Sequence, residues 1–286
     1  MGVDLTRTVR FCVNDPSLPG ADEPADNAFA GYPSMRGLGR YYELHVTCRG
    51  EVDPITGYFL NIKAIDRATR ASALPIIANA CARTPGDDPA RVLTIAAAAL
   101  NDALGGLVRS VRWSLSPYYS IQMAPLLPNP SAFPTAAGRA GHLALLRQQF
   151  DFAAAHRLSS PGLDEAANRE TFGKCSNPRG HGHNYRVEPC VEFPVDPAAA
   201  GFGLRDLERI VARTILDRYD HTHLNEDTAE FDQRLPGGLN PSVENIAKVF
   251  YELLAPAVAS CGKPARLRSI TVWETDKTSC TYPTVD

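Results

Sequence analysis

From Phe150 to His156 buried-type and polar positions follow a period of two, so Phe150, Phe152, Ala154 and His156 share one face of an expected strand. A second strand is expected to begin near His181. The period then lengthens to that of a helix, with Leu204, Leu207, Val211 and Ile215 on one stripe and Ile246, Val249, Phe250 and Leu253 on another. Ser242 stands before the second run as an N-cap, with Glu244 in the first turn. Strand character returns over 269–275 and again close to 280–282, giving the second half the order β-β-α-α-β-β.

The first half can be read the same way. Strands are expected near 8–13 and 41–49, and a helix from Asn61. Asp88 and Pro89 open a second helix through Val92, Ile95, Ala99 and Leu104, and a last strand covers 110–115. Two short matches occur in the same order in both halves. Gly37-Leu-Gly-Arg-Tyr-Tyr answers Gly180-His-Gly-His-Asn-Tyr, and Arg109-Ser-Val-Arg-Trp answers Arg268-Ser-Ile-Thr-Val, which points to an internal repeat. Between the halves, 126–142 interleaves Pro128, Pro130 and Pro134 with Ala and Gly and keeps no period, as a linker would. Residues 14–37, rich in Gly, Pro, Asp and Asn, are expected to form a long surface loop.

With 286 residues, 44% hydrophobic and 21% charged, the composition is that of a globular protein and excludes disordered and fibrous classes. The net charge of -3 lacks the broad positive field of a nucleic-acid binder, while leaving room for a local basic pocket for a phosphorylated small molecule. No apolar run approaches the ~20 residues that span a bilayer, and Met1 to Thr6 lacks a basic region followed by an apolar one. Neither membrane insertion nor export is expected. Seven scattered cysteines, an odd number, fit a reducing cytoplasm better than a disulfide framework.

The strongest chemical signal is Cys175-Ser-Asn-Pro-Arg-Gly-His181-Gly-His183-Asn-Tyr185. On a strand, His181 and His183 point to the same side, so that two imidazoles converge on one point. Zinc is satisfied by three histidines while keeping an open position for water or substrate, and His156, on the adjacent expected strand, is the natural third ligand. A His-x-His pair alone is more often two polar strand residues than a metal site. His221-Thr-His223 is a competing pair, ranked lower because it follows a helix and precedes Leu-Asn, where a turn is expected.

Phe172-Gly-Lys-Cys175, the five-residue gap and His181-Gly-His-Asn-Tyr185 together resemble the signature of the 6-pyruvoyl-tetrahydropterin synthases, members of the tunnelling-fold superfamily. Ala155-His156-Arg-Leu, Asp220-His221-Thr-His-Leu-Asn225, Pro241-Ser-Val-Glu-Asn-Ile-Ala247 and Val272-Trp-Glu274-Thr agree in order, so the resemblance covers about 148–283. It implies that His156, His181 and His183 bind zinc and that Cys175 is the base removing a carbon-bound proton from the substrate side chain. It further implies that Asp220 and His221 form the accompanying proton-transfer pair, and that Glu274 anchors a pterin ring through two parallel hydrogen bonds. Zinc or a protonated imidazole nearby would lower the Cys175 thiol from about 8.5 towards working pH.

The implied fold is α+β, built of tandem ββααββ units, each with a four-stranded antiparallel sheet and two helices, that close a barrel by oligomerisation. Residues 1–125 would be a degenerate unit and 143–286 the catalytic one. Leu38 and Arg40 stand where His181 and His183 stand, Leu115 stands where Glu274 stands, and His45 is the only histidine before 126. Single-unit relatives form stacked rings of three with active sites between subunits, so two-unit chains are expected to form a homo-trimer or a multiple of it. The implied reaction is zinc-dependent conversion of 7,8-dihydroneopterin triphosphate to 6-pyruvoyl-tetrahydropterin. Alternatives are 6-carboxy-tetrahydropterin synthesis in the queuosine pathway, zinc-dependent hydrolysis, and a non-catalytic pterin-binding or assembly subunit. Two departures from the family pattern stand out: Ser242 replaces the usual Thr, and Pro189 requires the second strand to be bulged, short or at an edge.

Overall fold

The computed structural model describes residues 2–21, 23, 29–124, 142–196 and 201–284. Apart from His142, the expected linker lies outside them, as does part of the expected 14–37 loop. The chain divides into two compact units, Met1–Leu146 with Phe193–Gly201, and Arg147–Glu192 with Phe202–Asp286.

In the first unit, β1 (Gly2–Val13) and β2 (Arg40–Glu51) pair antiparallel from end to end, Gly2 against Glu51 and Val13 against Arg40. Three helices follow: α1 (Ile62–Ala68), α2 (Leu74–Arg83) after a π-helical turn at Thr69–Ala73, and α3 (Pro89–Ala103). The Asn61 and Asp88 side chains cap α1 and α3 by accepting from the backbone amides of Lys63 and Ala90. Then β3 (Val108–Ser114) pairs with β2 and β4 (Tyr119–Met123) pairs with β3, both antiparallel, and β5 (His142–Gln148) begins. Strand β1 starts six residues before the expected position: Val3 and Leu5 alternate with Asp4 and Thr6, but neither is buried, and the buried alternation begins only at Val9. Of the stripe expected for α3, Val92 and Leu104 are buried but Ile95 is 61% exposed, and the buried face also takes in Leu93, Ala96, Ala97 and Leu100. A run of alanines gives little amphipathic contrast, so either stripe fits the sequence.

The second unit opens with β6 (Phe150–His156) and the short helix α4 (Glu165–Phe172), capped by Asp164. After β7 (His181–Val195), the helix expected from Leu204 is broken into α5 (Leu204–Val211), a π-helical turn at Ala212–Leu216 and α6 (Asp217–Tyr219). The small elements β8 (Thr222–His223) and α7 (Leu224–Asp227) come next, then α8 (Val243–Ala259), β9 (Arg266–Thr275) and β10 (Thr278–Tyr282). Strands β6, β7, β9 and β10 pair antiparallel in that order, with β8 parallel on β6. Of the three accommodations that Pro189 allowed, the strand takes a bulge, seen one residue on as a register shift between Cys190 and Val191.

The apolar stripes of α5 and α8 cover one face of this sheet. Leu207, Val211, Ile246, Phe250 and Leu254 are fully buried with Tyr185, Val187, Ile270 and Val272. Phe152 stacks on Tyr185 at 4.9 Å and tilts against Phe250 at 5.5 Å. Each such side chain contributes about 1.5–3 kcal/mol by leaving water. That rigid apolar layer continues directly into the polar end of β6 and β7. Among the described residues no helix is long and apolar enough to cross a membrane.

Candidate functional site

His156 ends β6 and His181 opens β7, and the antiparallel register sets these two directly opposite, with Ala154 and His183 as the next pair on the same face. Ring centroids lie 4.6 Å apart for His156 and His181, 4.7 Å for His181 and His183, and 5.1 Å for His156 and His183. One nitrogen from each ring lies within 4.8 Å of the others, and the Nε2 atoms of His156 and His181 are 3.2 Å apart. Tetrahedral zinc with bonds near 2.05 Å separates its nitrogen ligands by about 3.3 Å.

His156 is fully buried. Its Nδ1 faces the Pro241 carbonyl at 2.8 Å and the Tyr185 hydroxyl at 3.2 Å. A proton on Nδ1 donated to Pro241 leaves the lone pair on Nε2, the nitrogen facing His181. Burial pushes the His156 pKa down to about 4; the Pro241 contact opposes this, and His181, His183 and His223 add to it. His183 is also lowered, by burial first and by His181, with Glu274 opposing. His156 and His183 are therefore held neutral, the form that ligates metal. The buried atoms His181 Nδ1 and His183 Nε2 find no hydrogen-bond partner. Unsatisfied buried polar atoms are costly, and a cation at the cluster would engage His183 Nε2, which packing leaves without a hydrogen-bond partner.

Glu274, in β9, brings its Oε1 to 3.4 Å from His156 Nε2 and 3.7 Å from His183 Nε2. It thus reaches the imidazoles themselves. Cys175 sits in a 3₁₀ turn, Gly173–Ser176, which is held against the end of β6. Leu158 N donates to the Cys175 carbonyl at 2.9 Å, and Arg157 Nε donates to the Ser176 carbonyl at 3.1 Å. Burial and the negative charge of Glu274 raise the Cys175 thiol, opposite in direction to the lowering expected from a metal or imidazolium. In the chain alone, burial and a carboxylate are what the thiol meets.

Asp220 and His221 form a pair, Nδ1 to Oδ1 at 3.0 Å, anchored on β6 by Ala153 N donating to Asp220 Oδ1 at 2.8 Å. That backbone donation, ahead of the His221 contact, lowers the Asp220 pKa. The His221 side chain is 82% exposed, in a left-handed backbone conformation (φ 59°), and is not among the gathered imidazoles. Where a turn was expected, Thr222 and His223 instead form β8, placing His223 beside Ala155. His223 stays outside the three-histidine group, as its lower ranking anticipated.

Other contributors carried only faint sequence signals. Asn225 pins Arg157 from both sides, accepting from its N–H at 2.7 Å and donating to its C=O at 3.0 Å, and so fixes the residue after His156. Its position in Asp220-His-Thr-His-Leu-Asn225 was the available clue. Pro241 acts through a carbonyl, which no side-chain pattern reveals, and Tyr185 was visible only as a motif member.

The sequence profile of the 6-pyruvoyl tetrahydropterin synthase family matches residues 145–284. The 6-pyruvoyl tetrahydrobiopterin synthase of Poecilia reticulata is 36% identical over 133 residues, 46% of this chain and 84% of that protein. The protein of the same name from Homo sapiens is 32% identical over 140 residues, 49% of this chain and 90% of that one. Among solved structures, the Caenorhabditis elegans 6-pyruvoyl tetrahydropterin synthase is 33% identical, with a TM-score of 0.44, covering 50% of this chain and 96% of that one. Through residues 145–284, the chain belongs to the 6-pyruvoyl tetrahydropterin synthase family.

Proposed function

We propose that this chain is a zinc-dependent carbon–oxygen lyase that converts 7,8-dihydroneopterin triphosphate to 6-pyruvoyl-tetrahydropterin with loss of triphosphate. The observation carrying this reading is the meeting of His156, His181 and His183 beside Glu274, with His181 Nδ1 and His183 Nε2 buried and without hydrogen-bond partners. Zinc held by the three imidazoles would supply positive charge that acidifies the carbon next to a substrate oxygen and favours a neighbouring thiolate.

The remaining work falls to the chain. His156 presents a neutral Nε2 because Pro241 takes the Nδ1 proton. Cys175, on its pinned turn, takes the proton from the substrate side-chain carbon. Asp220 holds one His221 tautomer and stabilises its charged form, so that the ring exchanges protons with the side-chain oxygens as triphosphate leaves and the product tautomerises. Glu274 accepts two parallel hydrogen bonds from the amino and amide nitrogens of the pterin. The exposure of His221 suits a site completed by a neighbouring subunit.

Residues 1–125 are read as a degenerate unit retained for assembly. The shared order of two strands, helices and two strands supports this, and so does the environment of its one histidine: His45 contacts Thr8 and Ser114 hydroxyls at 3.0 and 3.3 Å rather than other imidazoles. A reducing cytoplasm suits the scattered free cysteines.

Incubating zinc-loaded protein with 7,8-dihydroneopterin triphosphate and weighing the pterin product tests the reading. The 6-pyruvoyl product is expected, with a loss of about a hundredfold or more in Cys175→Ala. A 6-carboxy product would assign the alternative reaction. Turnover that survives loss of Cys175 but not of His181 would make the protein a metal-dependent hydrolase.

A further inference from the structure

Beside the Cys175 turn lies an open cavity of about 610 Å³ whose lining includes Arg157, Arg169, Lys174, Ser176 and Asn177. Three cations face it against one carboxylate, Glu165, in a chain whose net charge is -3. Glu165 is engaged with Arg169 at 3.5 Å on the outer face of α4, and both side chains are largely exposed. Among the described residues, neither Arg157 nor Lys174 has an ion-pair partner. We propose that this cavity is an oligophosphate subsite, which binds the phosphate chain of the substrate while the reacting carbon lies across the turn near Cys175.

The geometry favours an anion with several charges. Arg157 is preorganised, because Asn225 holds its backbone on both sides and its Nε is committed to the Ser176 carbonyl. Its terminal amino groups remain to donate, in the fork that suits phosphate oxygens. Lys174 supplies a point charge from the residue preceding Cys175. A lone carboxylate or monophosphate would engage one of these groups, whereas a chain of phosphoryl groups can engage Arg157, Lys174 and Arg169 together. Ser176 and Asn177, which follow Cys175 in the chain, continue the same wall. The turn that carries the proposed base therefore also carries part of the proposed phosphate site, so anchoring the tail fixes the register of the side-chain carbon against Cys175.

This proposal rests on the lyase reading for the identity of the substrate but not for the binding chemistry, and the two can fail separately. Inorganic tripolyphosphate is the probe, titrated calorimetrically into the full zinc-loaded chain. Binding is expected, weakening with added salt and at least tenfold in Lys174→Ala and in Arg157→Gln, with Lys174→Arg restoring most of it. Unchanged thermal midpoints in these variants exclude misfolding. A tenfold or greater fall in kcat/KM for the pterin triphosphate in Lys174→Ala assigns the phosphates to the substrate; an unchanged kcat/KM with weakened tripolyphosphate assigns a free oligophosphate. No tripolyphosphate binding, or binding indifferent to both substitutions, overturns the subsite even if the enzyme turns over. Lys174-dependent binding without pterin turnover keeps the subsite and removes the lyase reading.

Discussion

At the scale of single residues, His156 shows how surroundings leave an imidazole with one nitrogen committed and the other available. The ring is sealed from water, the Pro241 carbonyl takes one nitrogen, and the other is turned to His181. The consequence for stability has a definite sign. In the unfolded chain the imidazole titrates at its ordinary 6.5, and in the metal-free fold near 4. Above pH 6.5 neither state binds the proton and the group is neutral to stability. As pH falls from 6.5 to 4 the unfolded state gains a proton that the fold refuses, so stability drops, by roughly 3 kcal/mol when complete. His183, shifted the same way by burial, adds to the loss. Urea midpoints of the metal-free protein are expected to fall across this window, and in His156→Asn the fall is expected to be markedly shallower. An equal slope in both proteins would locate the acid sensitivity elsewhere.

At the scale of elements, the site is two strand ends and the turn that joins them to Cys175. Gly180, immediately before β7, has φ +69°, and a Cβ there would come within 2.7 Å of His223 Nε2 and 2.9 Å of the His156 carbonyl. Backbone strain and contact act together, so Gly180→Ala is expected to cost more than about 1 kcal/mol and to weaken zinc binding. Thermal unfolding and zinc titration against a chelator measure the two effects; a variant with unchanged zinc affinity would show that the entry to β7 is not set by this glycine. The period of two at Phe150–His156 and the His181, His183, Tyr185 alternation were legible because each strand buries one face, and the register then followed from which ends meet. Elements set by distant contacts were not legible. Strand β8 is two residues long and exists through Ala154 and Ala155, and the break after Val211 leaves the helical period of Leu204–Ile215 almost unaltered. Strand β4 carried an audible pattern, with Ile121 and Met123 buried and Gln122 between them, but it is short and follows directly on a turn. The upward push on the thiol in the metal-free chain was not legible, because it comes from packing and from Glu274 approaching from another strand, neither of which residue spacing encodes.

At the scale of the whole molecule, open sheet edges demand an explanation. Among the described residues β1 pairs only with β2 over twelve residues, and β10 pairs only with β9. Long unpaired edges invite uncontrolled association unless they are short, charged or closed by another chain. Strand β1 is not short, and its Arg7 and Arg10 are already engaged by Asp66 and Glu43 rather than left to guard the edge. At one end of β1 the Tyr32 N–H and the Pro33 carbonyl already bond Arg10 and Cys12; closure by copies of the same chain would satisfy the remaining N–H and C=O groups, and would give the exposed Asp220–His221 pair a neighbour to act upon. If each chain contributes two four-stranded sheets to stacked rings that need six, three chains complete the assembly. Light scattering coupled to size exclusion is expected to give a mass of three chains, or six, independent of concentration in the micromolar range. A monomer with full activity would separate the N-terminal unit from assembly altogether and require His221 to reach Cys175 within one chain.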